Sequence, residues 1–266
     1  MKRHRVRLRP KVRTRRRAFG RTLLVGLALA AGGLAVARAR PWRGLAERVG
    51  PFPWPDAVRV EAVEVLGAPA GLEHRMRVAL DFRPGEVWAP WRPGRVAGEL
   101  RRRFACLRSV RARREWLSRR VVFETELRTP VARVSRGGAA SGLLDAEGEA
   151  FAAPEGLYAE GGLPVLDLSG HPADRGLGPL GRLVAAAAAP GALPVRLKGM
   201  RYEASEDGWS AALEDGTTLL WGSLRWTDEK LSRLREVFSD ARPRFPGGLT
   251  ADLRSFEDGK IFVRPN

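Results

Sequence analysis

Residues 22–37, TLLVGLALAAGGLAVA, run for sixteen positions without a charge. The 21 residues before them hold eleven basic side chains (Lys2, Arg3, Arg5, Arg7, Arg9, Lys11, Arg13, Arg15, Arg16, Arg17 and Arg21) and no acid. So apolar a run must be covered, and at ~1.5 Å per residue it spans only ~24 Å of a ~30 Å hydrocarbon core. Extended to residues 19–39, with Arg21 and Arg38 snorkelling to the two interfaces, the segment is long enough to cross as one helix. The tail, residues 1–18, would then stay cytoplasmic and residues 40–266 would lie on the other side. Two export readings compete on the residues alone. Ala35-Val36-Ala37 is an A-x-A cleavage pattern, and RRRAFGR (15–21) looks like a twin-arginine signal. Arg38, Arg40 and Arg43 follow the cleavage site at once and disfavour export of the new start. A nucleic-acid-binding tail would set these arginines on phosphates, yet it leaves the apolar run unexplained.

The tail also accounts for most of the charge. The whole chain carries +17, but without the first 21 residues the other 245 carry only +6. The length fits one large domain or two small ones. A single cysteine, Cys106, excludes an intrachain disulfide, and its place between Ala105 and Leu107 predicts burial.

Residues 40–57 are proline-rich and read as a linker. From residue 58 the pattern becomes regular. VRVEAVEVLG alternates as a strand and stops at Gly67. LEHRMRVAL (72–80) and PGRVAGELRRRF (93–104) read as helices, the second opening on proline. LRSVRARREW and VVFETELRT read as strands, with Val121, Phe123, Thr125 and Leu127 on one face. From residue 130, short strands at 131–135, 143–145, 150–151, 163–168, 195–205, 209–213 and 217–221 alternate with glycine turns. A helix is expected at 180–189, and a stronger one at 227–240, with Thr227 as its cap and Leu231, Leu234 and Phe238 at helical spacing. The fold class is α+β: residues 58–129 form a β-α-α-β-β unit and residues 130–266 a β-rich domain.

The chemistry-bearing residues are scattered. His4, His74 and His171 lie in three unrelated contexts, and no metal-ligand spacing or nucleophile elbow occurs. Gly176-Leu177-Gly178-Pro179-Leu180-Gly181 fits G-x-G-x-x-G, but no strand runs directly into it and Pro179 removes an amide that a pyrophosphate would need. It reads as a glycine-rich helix start. Glu147/Glu149 and Glu206/Asp207 read as solvated turns. Eight tryptophans could offer a sugar-binding face; Trp42 and Trp54 suit a membrane interface. No catalytic, cofactor or metal residue is assigned.

Several stretches, in this order, resemble the FtsQ/DivIB family of bacterial division proteins. They are the β-α-α-β-β unit, similar to that family's POTRA domain; ELRTPVARV (126–134); LLDAEGEAF (143–151); LPVLDLSG (163–170); EDGTTLLWGSLRWTDEKLSRLREVF (214–238); and ADLR (251–254). The resemblance implies a single-pass inner-membrane protein of the septum, with residues 19–39 as anchor. It implies a non-catalytic scaffold that links early and late division proteins and needs no cofactor. The alternative from another class is an envelope enzyme or sugar-binding protein released by cleavage after Ala37.

The resemblance also implies that the closing edge of the β domain docks FtsB/DivIC-like and FtsL-like partners. The residues DLRSFEDGKIFVRPN (252–266) agree with that expectation. Asp258-Gly259 is a hairpin dipeptide, and residues 260–264 alternate as a strand. An uncovered strand offers free N–H and C=O groups to a second chain. The candidate partner-binding residues are Arg254, Ser255, Phe256, Gly259, Lys260, Ile261, Phe262, Val263 and Arg264. Phe256 and Phe262 are the expected apolar anchors, and Lys260 and Arg264 the expected partners of acids. Pairing is expected to stop by Arg264, since Pro265 has no amide.

Overall fold

The structure is a computed structural model that describes residues 58–266, apart from 174 and 246. The expected tail (1–18), transmembrane helix (19–39) and linker (40–57) lie outside the described residues. Among the described residues, no helix is long and apolar enough to cross a membrane.

The first layer is a three-stranded sheet. It comprises β2 (Ala62–Leu66), β4 (Leu107–Glu115) and β5 (Arg120–Leu127), in the order β2-β5-β4. β2 runs parallel to β5, which forces the chain to cross over, and it does so through α1 (Ala70–Leu80) and α2 (Arg92–Arg103). Proline in the first turn of α2 fits because no intrahelical partner awaits its missing N–H. Two short strands, β1 (Arg59–Val60) and β3 (Glu86–Val87), pair as a separate ribbon. Val65, Leu72, Met76, Trp88, Leu100, Cys106, Val121 and Phe123 form the buried core.

A nine-stranded sheet follows. Its strands are β6 (Pro130–Arg136), β7 (Ala139–Asp145), β8 (Ala150–Phe151), β9 (Val165–Asp167), β10 (Leu197–Glu203), β11 (Gly208–Leu213), β12 (Thr218–Gly222), β13 (Leu249–Asp252) and β14 (Phe262–Pro265). Their order is β14-β13-β12-β11-β10-β9-β6-β7-β8. Two crossovers make parallel pairs: β9 reaches β10 through α3 (Gly178–Ala187), and β12 reaches β13 through α4 (Thr227–Ala241). Both helices bury their apolar stripes in one core. One rung of that core crosses seven strands as consecutive register partners: Val263, Ala251, Leu219, Ala211, Met200, Leu166 and Val134. The adjacent rung, Arg264, Thr250, Thr218, Ala212, Gly199, Val165 and Arg133, lies on the opposite face and, apart from the exposed Val165, is polar or small.

The two layers share side chains. Leu143 and Phe151, from the second sheet, are buried in the core of the first. Between the layers, Arg128 Nη1 donates to Asp145 Oδ2 at 2.6 Å, and Asp145 is only 1% exposed. Asp145 Oδ1 accepts the Glu149 N–H at 2.8 Å. Arg128 Nε donates to the Ala105 carbonyl at 3.2 Å, and the Arg128 carbonyl accepts the Tyr158 hydroxyl at 2.8 Å. Burial pushes the Tyr158 phenol up to about 12.

Two of the G-x-G-x-x-G glycines, Gly178 and Gly181, serve this junction. A Cβ on Gly181 would lie 2.6 Å from the Asp145 carbonyl oxygen, and one on Gly148, at φ +84°, only 2.2 Å from Gly178 N. Glycine is needed where the 145–148 turn meets the first turn of α3.

α4 departs from expectation at its start. Thr227 is not the cap: Trp226 holds that position with φ 58°, and Thr227 Oγ1 donates back to the Leu224 carbonyl at 3.0 Å. The helix also buries Lys230 beside Leu231, Leu234 and Phe238. Lys230 Nζ donates to the carbonyls of Trp221 (2.8 Å) and Ser223 (2.9 Å), at the end of β12 and in the loop after it. Burial pulls the ammonium down to about 8.

Two outcomes are expected. Breaking the junction pair with Arg128→Met strands a buried carboxylate and costs about 3–5 kcal/mol in chemical denaturation, while Arg128→Met/Asp145→Leu recovers part of it. A cost under about 1 kcal/mol would rule out the pair as a lock. For Lys230, the unfolded chain keeps its proton up to about pH 10.5 while the folded chain releases it near 8. Wild type therefore gains stability relative to Lys230→Met as pH rises from about 8 to 10.5, by at most about 3 kcal/mol. Parallel pH curves for the two proteins would refute the shift.

Candidate functional site

β14 is the outermost strand of the nine, with β13 on one side and no strand of the sheet on the other. Its register, Thr250↔Arg264 and Asp252↔Phe262, continues past the strand, where Asn266 N donates to the Gly248 carbonyl at 3.1 Å. That bond sets the phase. Alternate residues of an antiparallel strand turn their main-chain groups to the neighbour, so Phe262, Arg264 and Asn266 face β13. Val263 and Pro265 turn theirs outward. Pro265 thus sits where β13 asks for no N–H, the edge position that tolerates proline.

Two expectations are corrected here. The last strand starts at Phe262 rather than at residue 260, and its ladder with β13 runs to Pro265. Asp258-Gly259 does not make a two-residue hairpin. A 3₁₀ turn, Phe256–Asp258, with Gly259 at φ +71°, lies inside a longer connection in which Phe256 N and Asp258 N bond the carbonyls of Leu253 and Ser255. The turn satisfies its amides locally and needs no tight hairpin.

The candidate residues separate into groups. Ile261 and Val263 are half-buried and pack on the core. Phe262 is 58% exposed, and Lys260 and Arg264 are exposed. Ser255 and Phe256 are half-buried in the connection. Arg254 is engaged within the chain, donating to Asp252 Oδ2 at 2.6 Å and to Glu206 Oε2 at 2.8 Å. The Arg254 guanidinium holds the Asp252 carboxyl below the usual carboxylate range.

Two brackets were not foreseen. Arg254 joins the end of β13 to the β10–β11 turn through Glu206, and Arg225 pairs with Glu257 at 3.0 Å, tying the β12–α4 loop to the connection before β14. The partners are 48 and 32 residues apart, and no local pattern pairs them. Glu206 is therefore an ion-pair partner rather than a merely solvated turn residue.

The arrangement offers main-chain pairing and an exposed aromatic. Cys106 is buried, which pushes its thiol up, away from nucleophilic use. Among the described residues, no group of three or more His, Cys, Asp or Glu side chains could hold a metal ion.

None of the curated proteins matches the chain. Residues 132–254, from β6 to the Arg254 bracket, match the family described as Cell division protein FtsQ/DivIB, C-terminal. The matched span contains Asp145, Gly148, Gly178 and Gly181, whose contacts build the junction. Residues 132–254 thus resemble the C-terminal domain of the FtsQ/DivIB family of cell division proteins.

Proposed function

We propose that this division protein is a non-catalytic scaffold of the septal envelope, which recruits FtsB/DivIC-like and FtsL-like partners by strand addition at β14. In this reading residues 19–39 anchor it once in the inner membrane, with the tail cytoplasmic. Residues 58–129 act as a POTRA domain open to other division proteins, and residues 130–266 as the β domain. The supporting observation is the outer edge of β14, where the Val263 main chain faces away from the sheet beside a 58% exposed Phe262.

The energetics assign the roles. Each main-chain hydrogen bond nets only about 0.5–1.5 kcal/mol, and Pro265 limits how many can form. Covering Phe262 must add to them, since full burial of such a ring is worth about 1.5–3 kcal/mol. Lys260 and Arg264 hasten encounter with an acidic partner more than they tighten it.

Val263→Pro removes an outward N–H and spares the bonds to β13. It is expected to weaken binding of an FtsB–FtsL pair about 3–10-fold, measured by titration against Val263→Ala as the control for side-chain loss. Phe262→Ala should weaken it separately. Unchanged affinity in both, with the thermal transition intact, would overturn the edge reading.

A further inference from the structure

The β4–β5 hairpin ends in a turn, residues 116–119, that presents apolar side chains to solvent. Leu117 is fully exposed and Trp116 is 49% exposed. Trp116 is held upright by Arg114, whose guanidinium lies 4.3 Å from the ring and donates to the Trp88 carbonyl at 2.7 Å. Three residues beyond Trp88, Trp91 is 62% exposed. Trp116 and Leu117 lie outside the buried core of the first layer. Exposed tryptophan and leucine beside arginine are the side chains that settle at a membrane–water interface.

The same end of the unit is where the chain arrives from residue 57. Glu61 N donates to the Arg119 carbonyl at 2.7 Å, Ala62 is the register partner of Arg120, and Trp88 N bonds the Val58 carbonyl at 2.9 Å. The nearby carboxylates are matched by arginines: Glu61 with Arg119 at 3.7 Å, Glu64 with Arg120 at 2.5 Å, and Glu115 with Arg113 at 2.6 Å. No uncompensated run of acid therefore faces a bilayer here.

We infer that Trp116 and Leu117 rest in the lipid headgroup interface and hold the first layer against the membrane. The inference rests on the anchor reading of residues 19–39. Eighteen residues separate that segment from Val58, a tether that reaches about 60 Å at most. Within such a tether even a weak lipid contact is occupied, because the bilayer is present at high effective concentration.

The test uses the full chain reconstituted in phosphatidylethanolamine–phosphatidylglycerol vesicles. Leu117→Cys, and separately Ala139→Cys at the start of β7, carry an environment-sensitive nitrobenzoxadiazole dye. Buried Cys106 is left in place and unmodified wild type gives the background. Spin-labelled lipids are expected to quench the dye at 117 and not at 139, and Trp116→Asp is expected to abolish the quenching. Equal exposure of the two dyes to water overturns the inference. So does quenching that survives Trp116→Asp, which would assign it to the dye. Alkaline extraction, run on a parallel sample, reads the anchor separately: release of the chain ends the anchor reading, while the quenching ratio still decides the tip.

Discussion

A single buried carboxylate organises the middle of this molecule. Asp145 ends β7 and begins the turn that docks on α3, and it meets Arg128 at the end of β5. An ion pair this dry gains little net stability, because desolvation consumes most of its attraction. Its force lies in what it forbids. Neither partner can move away without leaving a charge in a low-dielectric interior, so the two layers keep one arrangement. The Glu149 amide, the Ala105 carbonyl and the Tyr158 hydroxyl complete the hydrogen bonding around the pair.

From that point the second sheet is built outward on one principle. Two β-α-β crossovers place helices on one face only, and each strand repeats the same division between apolar and polar sides. The seven-strand rung ending at Val263 fixes the phase of β14. A one-residue slip would bring Phe262 to the core and turn Val263 out, with Ala251 and Leu219 left facing the wrong neighbour. The orientation of the edge is thus a property of the whole layer and not of the final strand.

Much of this was legible in the sequence. The two helices and the β2, β4 and β5 strands followed from the change of hydrophobic period. The β1–β3 ribbon, which splits the expected first strand and adds one between the helices, did not. The two family-like phrases around Arg128 and Asp145 turn out to meet in space. What was not legible depends on distant contacts. The parallel crossovers that seat β13 between β12 and β14 leave no local trace. Nothing local marks Lys230 for burial, yet the carbonyl oxygens of Trp221 in β12 and Ser223 just after it draw it inside. Thr227 has the composition of a cap, but the αL backbone at Trp226 moves the helix start and turns its hydroxyl backward. Arg254 looked available to a partner until Glu206, 48 residues away, closed on it. The candidate edge could be read from the alternation at residues 260–264, but its outward phase needed the Asn266–Gly248 bond.

The placement of Leu143 and Phe151 in the first layer's core has a mechanical consequence. A cut after residue 129 would strip those two side chains from the first layer's core, while the second layer's own core, drawn from residues after 130, would stay with its fragment. A load applied at Val58 would pass to the nine-stranded sheet through these packed side chains and two ion pairs, Arg128–Asp145 and Arg108–Glu147.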